Sequence, residues 1–197
     1  MLDEHDQEAV ARGLREGNRE AWARLYDAYS QDVWRYVARL MGFPPHEVAD
    51  VVQETFLKAA RSARWFDASR GTLWSWLLGI AHHQAALVWR QEGRAARLQK
   101  LVETGNVRRW LDDADSLKGM LEQRELIELV RGVLSEMPTD YAALLAAKYL
   151  DERSLDDLVR EFGGSLDAAK SKLARARRDF RARIERLCRD STPLVRE

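Results

Sequence analysis

The sequence predicts an all-α protein built as two small helical domains joined by a flexible linker. Three observations carry this expectation. Apolar residues recur at steps of three and four along most of the chain, the period of a helix with one buried face. No segment shows the sustained alternation of a strand. The helical pattern decays between Gly93 and about Lys118, where Gly, Asn, Asp and Ser collect, and resumes beyond it. A chain of 197 residues is long enough for one sizeable core or two modest ones.

Taken in order, Trp22, Leu25, Tyr26, Tyr29, Val33, Val37 and Leu40 form one apolar stripe on a long helix. "GFPP" at 42–45 ends it, and Pro45 suits the first turn of the next helix, where its missing N–H costs nothing. That helix carries Val48, Val51, Val52, Thr55, Phe56 and Ala59 on the same period. "FDASRG" at 66–71 reads as a turn. A third helix follows, with Leu73, Leu77, Ile80, Gln84 and Val88 near one face. After the linker, Leu121, Leu126, Leu129, Val130, Val133 and Leu134 restore the pattern until "MP" at 137–138 breaks it. Leu144, Leu145 and Tyr149 mark a further helix. The boundaries that follow are 1–95 for the first domain, 96–118 for an acidic linker, 119–190 for the second domain and 191–197 for a tail.

Composition excludes several classes. Charged residues make up 32% and apolar residues 46%, and no apolar run is long enough to span a bilayer, so no membrane insertion is expected. The acidic, polar start "MLDEHDQEAV" does not read as a secretory signal, and the single Cys188 excludes an internal disulfide; both fit a cytoplasmic protein. Formal net charge is zero, yet the charge is segregated. Residues 165–190 hold nine Lys or Arg against four acids, while residues 111–128 hold six acids against two bases. A basic surface separated from an acidic connector favours a polyanion as partner.

The basic segment also has an organised approach. "SLDDLVREF" opens with Ser154 and places Asp157 three residues later, a pattern like a capping box. Leu155, Leu158, Val159 and Phe162 form its apolar face, and "GG" at 163–164 makes a tight turn. Ser165 suits the cap of the next helix, with Ala169, Leu173, Ala176 and Phe180 inward. Helix, glycine turn, then basic helix is the helix-turn-helix pattern, whose second helix enters a DNA major groove. A solvated basic surface helix competes with this reading on periodicity alone.

The residues then support a specific resemblance. "LVREFGGSLDAAKSKLARARRDFR" resembles the region 4 helix-turn-helix of the extracytoplasmic-function group of bacterial sigma factors, in the sigma-70 family. Ser165, Lys170-Ser171-Lys172-Leu173 and Arg175-Ala176-Arg177 carry the match, with Ala169 where the family has Val and Lys172 where it has Arg. "REAWARLYDAY" is similar to region 2.1, "VADVVQETFLKAAR" to region 2.2 and "RWFDASRGTLWSWLLGIAHH" to regions 2.3 and 2.4. The resemblance implies a dissociable subunit that directs core RNA polymerase to promoters and itself catalyses nothing, with no cofactor and no metal. Its implied partners are the beta-prime clamp helices and beta flap of core polymerase, promoter DNA and an anti-sigma factor. Asp50, Val51, Gln53, Glu54 and Phe56 are the implied polymerase contacts. Lys170, Ser171 and Arg175 are implied for bases of the −35 element, and Lys172, Arg177 and Arg178 for its phosphates. The −10 element would be melted and held by Phe66, Asp67, Ser69, Arg70, Trp74 and His83.

The tryptophans divide. Trp76 occupies a usual family position and is expected in the core. Trp65 and Trp74 lie where the family varies, each open between flanking a melted strand and covering the loop; Trp74 joins the −10 set on the first option. His82 and His83 replace the Arg-Asn that the family often has, and Leu87 stands at an Asp position. Adjacent helical residues point about 100° apart, so these histidines do not chelate one metal easily. The rivals are a DNA-binding regulator working without polymerase, a sigma-like chain that has lost promoter melting, and a metal hydrolase on His82, His83, Asp112, Asp113 and Asp115. The acidic linker is expected to thread toward the RNA path and to discourage tight binding of free DNA.

Overall fold

The computed structural model describes residues 2, 4–42, 44–91 and 124–190. The expected linker at 96–118 and the tail at 191–197 lie outside the described residues. Every regular element among the described residues is helical, as the periodicity predicts. No helix among them is long and apolar enough to cross a membrane.

Four helices form the first half: α1 (Glu4–Arg15), α2 (Arg19–Met41), α3 (Pro45–Ser62) and α4 (Leu73–Gln91). Asn18 starts α2, its Oδ1 accepting from the N–H groups of Glu20 (2.8 Å) and Ala21 (3.3 Å). Gly42 ends α2 in the left-handed region (φ 62°), where a side chain is disfavoured. Pro45 sits in the first turn of α3, as its lack of an N–H allows. Two short 3₁₀ turns, Ala63–Trp65 and Ala68–Arg70, connect α3 to α4.

The second half holds α5 (Arg124–Glu136), α6 (Thr139–Leu145), α7 (Leu155–Phe162) and α8 (Leu166–Asp190). Pro138 stops α5 and precedes α6. Past Leu145 the helix widens into one π turn over Ala146–Leu150, closed by the Asp151 N–H donating to the Ala146 carbonyl at 3.1 Å.

The buried side chains form one continuous core running through both halves. Helix α4 is its hinge pin: it packs on α2 and α3 behind it and on α5, α6 and α7 in front. Its buried residues accordingly lie on two sides, Leu73, Leu77, Leu78, Ala81, His82, Ala85 and Trp89 among them. The single stripe expected for this helix is therefore too narrow, and Ile80 and Val88 are only half-buried.

His82 joins the halves. It is 4% exposed, with Nε2 3.1 Å from the Met137 carbonyl and Nδ1 3.0 Å from the Tyr36 hydroxyl. A carbonyl only accepts, so Nε2 carries the proton, and Nδ1 then accepts from the Tyr36 O–H. Met137 precedes Pro138 at the break between α5 and α6, outside either helix. Burial pushes the His82 pKa down, the Met137 bond opposes this, and His83 adds to it. At the rim, the Arg131 Nε–H donates to the Arg39 carbonyl (2.9 Å), and the Arg39 guanidinium pairs with Asp151.

Candidate nucleic-acid interface

The helix-turn-helix is built as its residues require. The Ser154 Oγ accepts from the Asp157 N–H (3.1 Å), while the Ser154 N–H donates to the Asp157 carboxylate (3.1 Å), a complete capping box at the start of α7. These bonds to Ser154 hold the Asp157 carboxyl below its ordinary pKa. Gly163 and Gly164 turn the chain with φ of 76° and 89°, a pair of positive angles that side chains resist. Ser165 then caps α8, its Oγ accepting from the Ala168 N–H at 3.2 Å. Ala169, Leu173, Ala176, Phe180 and Ile184 face inward.

The six basic-helix residues singled out in the sequence separate into two groups. Lys170, Ser171, Arg175 and Arg178 are exposed and have no ion-pair or hydrogen-bond partner among the described residues. Lys172 turns back across the domain, its Nζ 2.9 Å from Asp140. Arg177 donates to the Tyr149 hydroxyl at 3.2 Å. These two brace α8 against α6 and the π turn. Binding phosphate would require each to leave its partner.

At the α3–α4 connection the structure corrects two expectations. Phe66 is only 7% exposed and packs against Trp76 with ring centroids 5.1 Å apart. Trp74 is 9% exposed and stacks on Tyr29 at 5.9 Å, 16° between planes. Neither ring presents a face to a strand, because each fills the seam between α4 and its neighbours. Trp76, expected in the core, is half-buried and packs against the core's edge beside Phe66. Asp67 and Ser69 are exposed; Asp67 accepts from the Ser69 N–H (2.9 Å) and hydroxyl (2.7 Å), which stiffens the loop. Arg70 lies in the second 3₁₀ turn, and its side chain is outside the described residues. His83 is exposed on α4, pointing away from its buried neighbour His82.

A second surface lies on α2 and α3. Asp50 and Gln53 are exposed there, and Glu54 and Phe56 half-buried. Val51 is a further correction: it belongs to the inward stripe with Val48, Val52 and Thr55 and is buried. Sequence reasoning missed the apolar half of this face. Tyr26 is 52% and Leu57 44% exposed, and the Tyr26 ring lies 4.9 Å from Phe56. With Trp34, Ala49 and Gln53 they line an open groove. Tyr26 falls on the same period as the buried Leu25 and Tyr29, so periodicity alone assigned it inward.

The metal-site reading loses its histidines: His82 is occupied by Tyr36 and Met137, and His83 faces elsewhere. Asp112, Asp113 and Asp115 lie outside the described residues.

Comparison with known proteins agrees with the sigma-factor resemblance. Residues 25–95 match the family model for sigma-70 region 2. A probable RNA polymerase sigma-C factor of Mycobacterium bovis is 30% identical over 181 residues, covering 89% of each chain. An ECF RNA polymerase sigma-E factor of Haemophilus influenzae is 25% identical over 195 residues, 95% of this chain and all of that one. Among solved structures, that of CnrH in complex with the cytosolic domain of CnrY aligns with a TM-score of 0.47 and 22% identity, covering 91% of this chain and 97% of that chain.

Proposed function

The chain belongs to the extracytoplasmic-function group of RNA polymerase sigma factors, and from that premise we propose how its surfaces divide the work of directing polymerase to promoters. The observation that carries the reading is that two surfaces of opposite chemistry coexist. One is the apolar groove between α2 and α3, with the exposed Asp50 and half-buried Glu54 on the same helix α3. The other is the free basic face of α8.

The groove suits a protein partner. Exposed aromatic and aliphatic side chains bordered by carboxylates make the centre and rim of a protein interface, not a DNA-binding face. Asp50, Gln53, Glu54 and Phe56, with Tyr26, Trp34 and Leu57, bind core polymerase at its clamp helices. The second half meets the polymerase flap. An anti-sigma factor that covered the same groove would switch the protein off.

Helix α8 reads the −35 element. Its N-terminal residues Lys170 and Ser171 approach base edges, and Arg175 makes a bidentate contact with a guanine, a bond of about 1–3 kcal/mol in discrimination. Arg178 neutralises phosphate. The loop at Asp67–Ser69 and the exposed His83 handle the −10 strand after melting. All chemistry of RNA synthesis belongs to the polymerase.

Run-off transcription with purified core polymerase tests the reading. Core alone gives no defined start, and adding this chain creates one. Tight DNA binding with no stimulation of core would sink it and favour a regulator that uses only the helix-turn-helix.

A further inference from the structure

Trp65 is the most exposed large apolar side chain among the described residues, at 73%. Leaving an indole in water forgoes the burial that usually justifies its presence, so the way this one is held is informative. It stands on a 3₁₀ turn, Ala63–Trp65, closed by the Phe66 N–H donating to the Ala63 carbonyl at 3.0 Å. Ala63 before it and Phe66 after it are both buried. The two anchors force Arg64 and Trp65 outward together, so the ring is presented by a rigid support. The Arg64 guanidinium lies 4.9 Å from the Trp65 ring centroid, a cation–π contact that orders both side chains.

The surroundings select the ligand. Arg64 is exposed beside the ring, Arg61 is exposed four residues earlier on the last turn of α3, and the nearest acid in sequence, Asp67, accepts from Ser69 within its own loop. A flat π surface with a cation beside it fits a base attached to a phosphate backbone. The groove of Tyr26, Phe56 and Leu57 has a different character, lined by aromatic and aliphatic side chains with no cation among them. We propose that Trp65, with Arg64, is a stacking platform for an unpaired base of the melted promoter strand, immediately before the Asp67–Ser69 loop. This rests on the promoter-melting reading above. It moves the stacking role from the buried Phe66 to the residue beside it.

The test uses holoenzyme reconstituted from core polymerase and the full chain. The probe is a single-stranded oligonucleotide containing 2-aminopurine, spanning the −10 region of a promoter from which wild-type holoenzyme starts transcripts. Trp65→Ala should weaken oligonucleotide binding about 5- to 150-fold, the range for loss of one base–aromatic stack, and relieve quenching of the probe. Trp65→Phe should retain binding within about threefold, since a smaller ring still stacks. Arg64→Ala should weaken binding and flatten its salt dependence. Affinity for core polymerase should be unchanged in all three. Oligonucleotide binding by Trp65→Ala within twofold of wild type overturns the proposal, leaving the promoter reading intact. Loss of core affinity in that variant also overturns it, making the indole a protein contact. A wild-type chain that gives no core-dependent start overturns the promoter reading itself, and this proposal with it.

Discussion

Replacing His82 with alanine should loosen the seam between the two halves. The ring satisfies two polar groups that otherwise have little access to water, the hydroxyl of the buried Tyr36 and the Met137 carbonyl. Each orphaned group costs about 1–3 kcal/mol, and the space left by the imidazole lets water recover part of this. We expect a loss of about 2–4 kcal/mol at pH 8. For a chain of this size each kcal/mol moves the melting temperature by about 2–4 °C, so a fall of about 4–16 °C should appear in calorimetry. The pH dependence has a definite sign. The folded-state pKa of His82 lies below its ordinary 6.5, so the unfolded chain takes up this proton first. The contribution is complete above about pH 6.5 and is lost as pH falls through the lowered folded value, with a slope of at most about 1.4 kcal/mol per pH unit. The gap between wild type and variant should therefore narrow between pH 8 and pH 5. The other histidines are common to both proteins and cancel in the difference. A variant within 0.5 kcal/mol of wild type at pH 8, or a gap that widens on acidification, would refute the reasoning.

Further outcomes follow from other residues. Ser154→Ala removes the capping box of α7 and should cost about 1 kcal/mol, read by urea unfolding. Gly42→Ala places a Cβ against the Arg131 guanidinium at a left-handed backbone position; a loss of about 1–2 kcal/mol is expected, with the Arg131–Arg39 bond broken in a structure of the variant. Arg175→Ala should reduce affinity for a −35 duplex by about 10- to 100-fold and relax preference at one base pair, whereas Arg178→Ala should weaken all sequences alike and lower the salt slope by about 1; binding titrations at several salt concentrations separate the two. Tyr26→Ala should weaken core polymerase binding at least fivefold while leaving −35 duplex affinity unchanged, measured by competition for core.

The parts of this molecule that local chemistry specifies were legible before the fold was seen. Pro45, Ser154 with Asp157, and the Gly163–Gly164 turn each act on their own neighbours, and each performs the expected task. The misreadings have a different origin. Whether Phe66 or Trp65 faces outward depends on where a 3₁₀ turn begins, and moving that start by one residue exchanges them. Trp74 is buried because α4 is covered on both sides, by helices distant in sequence, which a single amphipathic stripe does not encode; the same cover buries His82, for which the sequence offered no placement. Val51 lies on its own helix's inward stripe; there, periodicity was the better guide than the motif. Lys172 looked free because a basic helix read alone contains no Asp140.

The continuous core also sets a length. A packed chain of this size has a radius of gyration of about 16 Å, hence a width of about 40 Å. Promoter elements centred near −35 and −10 are separated by about 85 Å of duplex, at about 3.4 Å per base pair. One closed molecule cannot reach both. Residues 92–123, fully extended, span at most about 110 Å, which covers the distance once the halves part. On the proposed division of surfaces, reading both elements requires the halves to part at the His82 seam, and the free energy of closure subtracts from the free energy of binding. Each ~1.4 kcal/mol by which closure is favoured would weaken two-element recognition about tenfold until polymerase holds the halves apart. On that proposal the packing that stabilises the chain would act as a threshold: either DNA element alone is within reach of the closed form, and only the pair, on polymerase, rewards opening.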